Sequence, residues 1–300
     1  MEVEIHATTN IGRVRKVNED NFLLLKLSNS EFGTKSKIVN EFVIQSQKFE
    51  IDEQGIVLAV SDGCGGALSG EIASEMAVET VRNILTGEAP NLEQSFYKGT
   101  LIEKLYDATI YANNLIHNQG RTNPEFNSMG CTLTAAGITS EAVDFIQVGD
   151  SRAYLIRNEK IYHITKDQSL IQQLIDTGQV KPVEAENHPL KNVILQALGA
   201  QNEVFPDAVR LIAQRNDIFL LCSDGLSNKL PAEDLARIIL DNFNDLEKAC
   251  QFLIKEANQR GGEDNITVIL SKLTGSKLME STDDSVVIYP LKFGKQNMNG

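Results

Sequence analysis

Short runs of consecutive apolar residues, bounded by Gly, Asp, Asn or Ser, restrict the fold of this chain more than any other feature. They fall at residues 21–27, 56–60, 132–138, 143–148, 153–156, 218–222 and 266–270. Each is long enough for a strand and too short for a typical helix. Side chains alternate between the two faces of a strand, so an unbroken apolar run demands cover on both sides of its sheet. Helical periodicity supplies candidates for that cover at 70–85, where Ile72, Met76, Val78 and Val81 share a face, and at 92–118, 169–176, 232–240 and 246–258. The helices come in pairs between groups of strands and do not alternate with them one for one. That argues against a doubly wound parallel sheet and for an α+β fold, two layered sheets flanked by helices.

Two segments depart from this pattern. Residues 28–53 are polar and weakly periodic, and read as an extended hairpin or long loop between two strands. From about Gly275 the chain turns polar and ends in Lys, Asn and Gly, as a mobile tail would. Its one apolar patch, Val286-Val287-Ile288-Tyr289, is either a strand docking on the parent domain or a partner-binding segment.

The formal net charge of -13 argues against nucleic acid or an anionic membrane as partner, because both would be repelled over most of the surface. The N-terminus lacks a signal-peptide pattern and no run reaches the roughly 18 apolar residues of a membrane span, so a soluble, cytoplasmic protein is expected. Cys64, Cys131, Cys222 and Cys250 are widely spaced, which fits free thiols better than zinc ligation.

Two of the buried runs end in the same three residues. Ile56-Val57-Leu58-Ala59-Val60 leads into Ser61-Asp62-Gly63, and Ile218-Phe219-Leu220-Leu221-Cys222 into Ser223-Asp224-Gly225. An aspartate there stands at the mouth of the core on a stiff strand, and the glycine after it lets the chain turn and expose a carbonyl. Asp264 precedes the run at 266–270 after Gly261-Gly262-Glu263, and Asp150 follows the run at 143–148. Asp-Gly alone marks only a turn. Four strand-end aspartates together present an oxygen-only ligand set, which suits two magnesium or manganese ions and not zinc. Arg15, ahead of Glu19-Asp20, carries a planar fork that matches phosphate oxygens. Carboxylates, cations and arginine together describe a hydrolase of phosphate esters.

In order and spacing, these motifs resemble the metal-dependent type 2C serine/threonine protein phosphatases, particularly compact bacterial members. The resemblance spans about residues 7–272. It rests on Gly-Arg-Val-Arg-Lys-Val-Asn-Glu-Asp-Asn-Phe at 12–22, Ser-Asp-Gly-Cys-Gly-Gly at 61–66, Met-Gly-Cys-Thr-Leu at 129–133, Val-Gly-Asp-Ser-Arg-Ala-Tyr-Leu at 148–155, Leu-Cys-Ser-Asp-Gly-Leu-Ser at 221–227 and Gly-Gly-Glu-Asp-Asn-Ile-Thr at 261–267. It implies a four-layer α-β-β-α fold, a central antiparallel β-sandwich between pairs of antiparallel helices, with residues 1–274 as the catalytic domain. It further implies that Asp62 bridges two cations, that the Gly63 carbonyl binds one, and that Asp224 and Asp264 complete the other. Glu19 and Asp20 would bind a metal directly or through water, and Arg15 would hold the substrate phosphate. The nucleophile would be a metal-activated water, without a covalent intermediate. Phosphorylated proteins, substrates of a serine/threonine kinase, would be the partners of a monomeric enzyme. The segment from Thr165 to Gly199, with Ser169 and His188, resembles the family's flap beside the active site.

Departures mark where this chain could differ. Asn10 and Asn228 stand where the family has Asp, so a third cation, for which Glu125 and Asp224 are candidates, is open. Cys64 beside Asp62 is either an oxidation-sensitive thiol or small-residue packing. The competing expectation, motivated by Asn228, is a catalytically weak phosphatase-like regulatory module that binds phosphoproteins.

Overall fold

A computed structural model describes residues 1–29, 31–34, 41–65, 69–89, 98–185, 188–280 and 286–293. Along the chain the strands are β1 (Glu2–Asn10), β2 (Asn21–Lys26), β3 (Glu31–Thr34), β4 (Glu41–Glu50), β5 (Ile56–Ser61), β6 (Gly63–Cys64), β7 (Gly130–Cys131), β8 (Leu133–Ile138), β9 (Val143–Val148), β10 (Arg152–Arg157), β11 (Lys160–His163), β12 (Asp207–Leu211), β13 (Ile218–Cys222), β14 (Ile266–Thr274) and β15 (Tyr289–Leu291). The helices are α1 (Ser69–Thr86), α2 (Leu101–Thr122), α3 (Leu170–Asp176), α4 (Pro182–Ala185), α5 (Asp224–Ser227), α6 (Ala232–Asp241) and α7 (Leu246–Gln259).

Among the described residues two antiparallel sheets form, in the orders β11-β10-β13-β14-β1-β4 and β15-β12-β9-β8-β5-β2-β3, with β6 and β7 as a small separate ladder. Three apolar layers explain the uninterrupted runs. Between the sheets lie Ile5, Phe22, Leu58, Val60, Phe145, Phe219, Leu221 and Ile269. Val57 and Ala59 of β5 face outward onto Ala73, Ala77 and Val81 of α1 and Leu105 and Ala112 of α2. On the other flank Ile218, Leu220 and Cys222 of β13 meet Leu235 and Ile239 of α6 and Leu253 and Ala257 of α7. The alternation of a strand thus sends Phe219 inward and Leu220 outward, and both are buried. Phe145 and Phe219 meet across the two sheets with ring centroids 5.8 Å apart. The result is the expected four-layer α-β-β-α sandwich.

The sequence reading needs correction in two places. Residues 28–53 do not form a hairpin: β3 pairs with β2 in one sheet, while β4 pairs with β1 in the other. The chain crosses between layers there because β1 offers a full-length edge for β4 to pair along. The helix expected at 92–118 begins at Leu101 and runs to Thr122. Gly99 at φ 108° cannot continue a helix, and Glu103 accepts a hydrogen bond from Thr100 N at 2.7 Å, which caps the start. Residues 90–97 lie outside the described residues.

Within the tail expected to be mobile, Tyr289–Leu291 forms an edge strand on β12, and Phe293 packs on Tyr106 of α2 with ring centroids 4.5 Å apart. Residues 281–285 and 294–300 lie outside the described residues.

Candidate metal centre

The ends of β5 and β13 and the start of β14 bring three acidic residues to one end of the sandwich. Asp62 follows β5 and is locked to the neighbouring strand: its N–H donates to Thr132 Oγ1 at 3.0 Å and its carbonyl accepts from Thr132 N at 2.8 Å. Asp224 is the first residue of α5, directly after the cap Ser223. The glycines that follow are required by crowding and not by a left-handed backbone. A Cβ on Gly63 would lie 2.2 Å from the carbonyl oxygen of Gly70, and one on Gly225 would lie 2.0 Å from that of Asn265. Asp264 receives a hydrogen bond from Asn265 N at 2.9 Å and from Arg15 Nη2 at 2.7 Å.

The N-terminal loop is pinned by Asn265. Its amide donates to the carbonyls of Ile11 (2.9 Å) and Val17 (3.0 Å) and accepts from Glu19 N at 2.8 Å. Glu19 and Arg15 are thereby carried to the cavity. Asp20 lies behind it, fully buried, where Oδ2 accepts from Ser223 Oγ at 2.7 Å and Thr267 Oγ1 at 2.6 Å.

A cavity of about 370 Å³ results, into which Glu19, Asp62, Asp150, Asp224 and Asp264 all open, with Arg15 and Lys16 at its rim. Burial first, and neighbouring carboxylates after it, push Asp20, Asp62, Asp150 and Asp224 upward. Asp20 and Asp224 rise to about 6, Asp150 to about 8, and Asp62 lies well above the usual carboxylate range. Asp224 Oδ1 is buried and receives no hydrogen bond from a donor among the described residues. Such a concentration of negative charge is unfavourable by itself and is relieved by bound cations. Among the described residues no three His, Cys, Asp or Glu side chains close on one point as a preformed chelate. The carboxylates surround a space for ions together with water, as magnesium and manganese prefer.

Of the residues singled out from sequence, Arg15, Glu19, Asp62, Gly63, Asp224 and Asp264 line this cavity and Asp20 supports it from behind. Glu125 does not line it. It is exposed on the short turn Pro124–Phe126, and the additional carboxylate in the cavity is Asp150. Ser169 and His188 do not line it either. Ser169 caps α3, and the flap reaches the cavity through Asn192 and Ile194. Asn228 donates to Asp224 Oδ2 at 3.0 Å, and Asn10 Oδ1 accepts from Gly12 N at 2.9 Å and from Asn258 Nδ2 at 3.2 Å, a structural role. Burial, together with Asp150 and Glu19, raises the Cys64 thiol to about 11. Sequence reading gave no role to Thr132, Asn265, Ser223 or Thr267. Their partners lie up to 258 positions away in sequence, as Thr9 does from Thr267, and no local pattern announces such contacts.

A larger groove of about 1080 Å³ lies at the opposite ends of β10 and β13, between α6 and the β10–β11 turn. Its acids, Glu159, Asp217, Glu233, Asp241 and Glu280, share the groove with Arg157, Arg215 and Arg237, which form the buried pair Arg157–Asp217 (2.7 Å) and the surface pair Arg215–Glu280 (2.8 Å) among others. Among the described residues no helix is long and apolar enough to cross a membrane.

Residues 37–263 match the family described as Protein phosphatase 2C. Serine/threonine phosphatase stp of Listeria innocua is 36% identical over 269 residues, covering 87% of this chain and 92% of that one. Protein phosphatase PhpP of Streptococcus pneumoniae is 32% identical over 268 residues, covering 89% and 96%. The crystal structure of the Mycobacterium tuberculosis serine/threonine phosphatase PstP/Ppp superposes with a TM-score of 0.73 at 29% identity, over 92% of this chain and 100% of that one. A structure of the PstP catalytic domain in complex with 2 manganese ions gives a TM-score of 0.71 at 29% identity, over 92% and 100%.

Proposed function

We infer that this chain, which belongs to the protein phosphatase 2C family, is a metal-dependent serine/threonine protein phosphatase whose chemistry is carried by the acidic cavity at the ends of β5, β13 and β14. The observation that carries the assignment of residues is the convergence of five carboxylates on one cavity with an arginine at its rim. The donor set fits two divalent cations, manganese or magnesium. It offers only oxygens, and the buried Asp224 Oδ1 lacks a hydrogen-bond donor among the described residues. Asp62 would bridge them, the Gly63 carbonyl would bind one, and Asp224 and Asp264 would complete the other. Glu19 would take part directly or through water, with Asp20 behind it. When bound, such cations supply Lewis acidity that makes a water nucleophilic near neutral pH and offsets charge on the phosphate.

The rest is done by the chain. Arg15 binds the phosphate oxygens of a phosphoserine or phosphothreonine, releasing or sharing its contact with Asp264. Thr132 fixes the backbone of Asp62 from both sides, so that its carboxylate is oriented before substrate arrives. Asp150, facing Asp224, is the candidate for any third cation; Glu125 lies outside the cavity.

The substrates are phosphorylated proteins. Residues 1–274 are proposed as the catalytic domain, with 275–300 appended to it and partly docked on β12, in a monomeric, cytoplasmic enzyme. The test is manganese-dependent release of phosphate from a phosphothreonine peptide, abolished by chelator and in Asp62→Asn and Asp224→Asn. Absence of turnover in a chain that still binds manganese would overturn the assignment in favour of a phosphoprotein-binding module.

A further inference from the structure

Asp150 sits in the three-residue link between β9 and β10, directly after Gly149, which has φ 98°. A glycine in that region is intrinsically free, and a side chain is excluded because its Cβ would lie 2.6 Å from Thr132 Cγ2. The position of the Asp150 carboxylate therefore depends on what holds the Gly149 peptide groups.

Gln168, at the root of the flap, holds both, while Gln147 Nε2 also donates to the Gly149 carbonyl at 2.9 Å. The Gln168 backbone N–H donates to the Gly149 carbonyl at 2.8 Å, and its side-chain Oε1 accepts from Gly149 N at 3.0 Å. The amide cannot flip, because its nitrogen end donates to Asp207 Oδ2 at 2.9 Å and to the Phe205 carbonyl at 3.3 Å. The Gln168 carbonyl accepts from Leu195 N at 2.8 Å, next to Ile194, which lines the acidic cavity. Gln168 itself does not line that cavity.

We propose that Gln168 is a positioning residue: through Gly149 it fixes Asp150 at the cation cavity, with Asp207 orienting its amide, and so sets cation affinity without touching cation or substrate. The inference rests on the reading of Asp150 as a cation-facing carboxylate.

Manganese binding to the full chain, followed by titration calorimetry, tests both separately. Asp150→Asn should weaken manganese binding; if it stays within about twofold of wild type, the reading of Asp150 fails and the inference with it. Where Asp150→Asn weakens binding, Gln168→Ala should raise the dissociation constant about tenfold, the scale of lost outer-layer support at metal sites. It should add little further in the Asp150→Asn background. An unchanged affinity in Gln168→Ala, or full multiplicative losses in the double variant, overturns the inference alone.

If Gln168→Ala does not fold, a polarity swap decides. Gln168→Glu keeps an oxygen for Gly149 N but sets a carboxylate against Asp207, so affinity should fall; adding Asp207→Asn returns a donor to that contact and should restore it to within about threefold. Failure of the second substitution to restore binding also refutes the assignment.

Discussion

Asn228→Asp separates the electrostatic account of the cavity from a purely geometric one. Asn228 Nδ2 donates to Asp224 Oδ2 at 3.0 Å, and Asp224 has already been raised to about 6 by burial and by Asp264. The substitution removes the donor and places a like charge where it stood. A hydrogen bond to a charged group is worth about 1.5–3 kcal/mol in full, and about 1 kcal/mol at a position as exposed as Asn228. Two unit charges about 3 Å apart in a water-like medium repel by roughly 1.4 kcal/mol. In chelator the variant should therefore be less stable by about 2 kcal/mol, a fall in Tm of about 3 °C for a chain of this size. With manganese the sign reverses, because the added carboxylate lies near the ion and its repulsion is relieved. The dissociation constant should fall by about tenfold, equivalent to about 1.4 kcal/mol. Differential scanning calorimetry in chelator and manganese titration of the same preparation read the two effects. A Tm in chelator equal to or above wild type, or manganese binding that is unchanged or weaker, would refute the reasoning that unrelieved carboxylate repulsion dominates this site.

Three further outcomes follow from contacts already described. Gly63→Ala and Gly225→Ala force a methyl to within 2.2 Å and 2.0 Å of backbone oxygens, so each should cost about 1–3 kcal/mol in urea melts and lower activity more than it lowers helix content. Arg157→Ala leaves Asp217, whose side chain has 0% exposure, as an unpaired buried carboxylate. Stability should drop by about 3–5 kcal/mol while the manganese dissociation constant of the folded fraction is retained, because the pair lies at the far ends of β10 and β13. His163 is lowered to about 4, by burial first and Arg152 second, so between pH 6.5 and 4 the unfolded chain takes up a proton that the fold refuses. Stability from this group is complete above pH 6.5 and declines as pH falls toward 4, by less than a full proton's worth because the side chain is 36% exposed. His163→Gln should flatten the pH dependence of the urea midpoint between pH 7 and 5; an identical slope in the variant would show that other groups set it.

What could be read from the sequence, and what could not, divides by the range of the interaction. Strands such as β5 and β13 announce themselves because burial on both faces leaves no polar position, as in Leu58 against Phe22 on one side and Ala59 against Ala77 on the other. β1 and β4 do not, since Glu2, Glu4, Gln45 and Gln47 interrupt the apolar pattern; their strand character comes from pairing, β1 with both β14 and β4. The metal-centre aspartates were legible for a related reason. Asp62 and Asp224 stand where an apolar run stops and Asp264 where one starts, so local pattern and function coincide at all three. Asp150 carries the same signature and counts among the four strand-end aspartates, but sequence does not say which partner it works with; the fold places it in one cavity with Asp224. The residues that aim these carboxylates were hidden altogether. Thr132, Asn265, Ser223 and Thr267 are ordinary polar residues in sequence. They gain meaning from hydrogen bonds that cross from one sheet or loop to another, as when Ser223 and Thr267 both donate to Asp20. Ligands can be recognised from their own chemistry, whereas the groups that orient them are defined by geometry alone. Substitutions in that orienting layer should therefore alter cation affinity while every carboxylate remains in place.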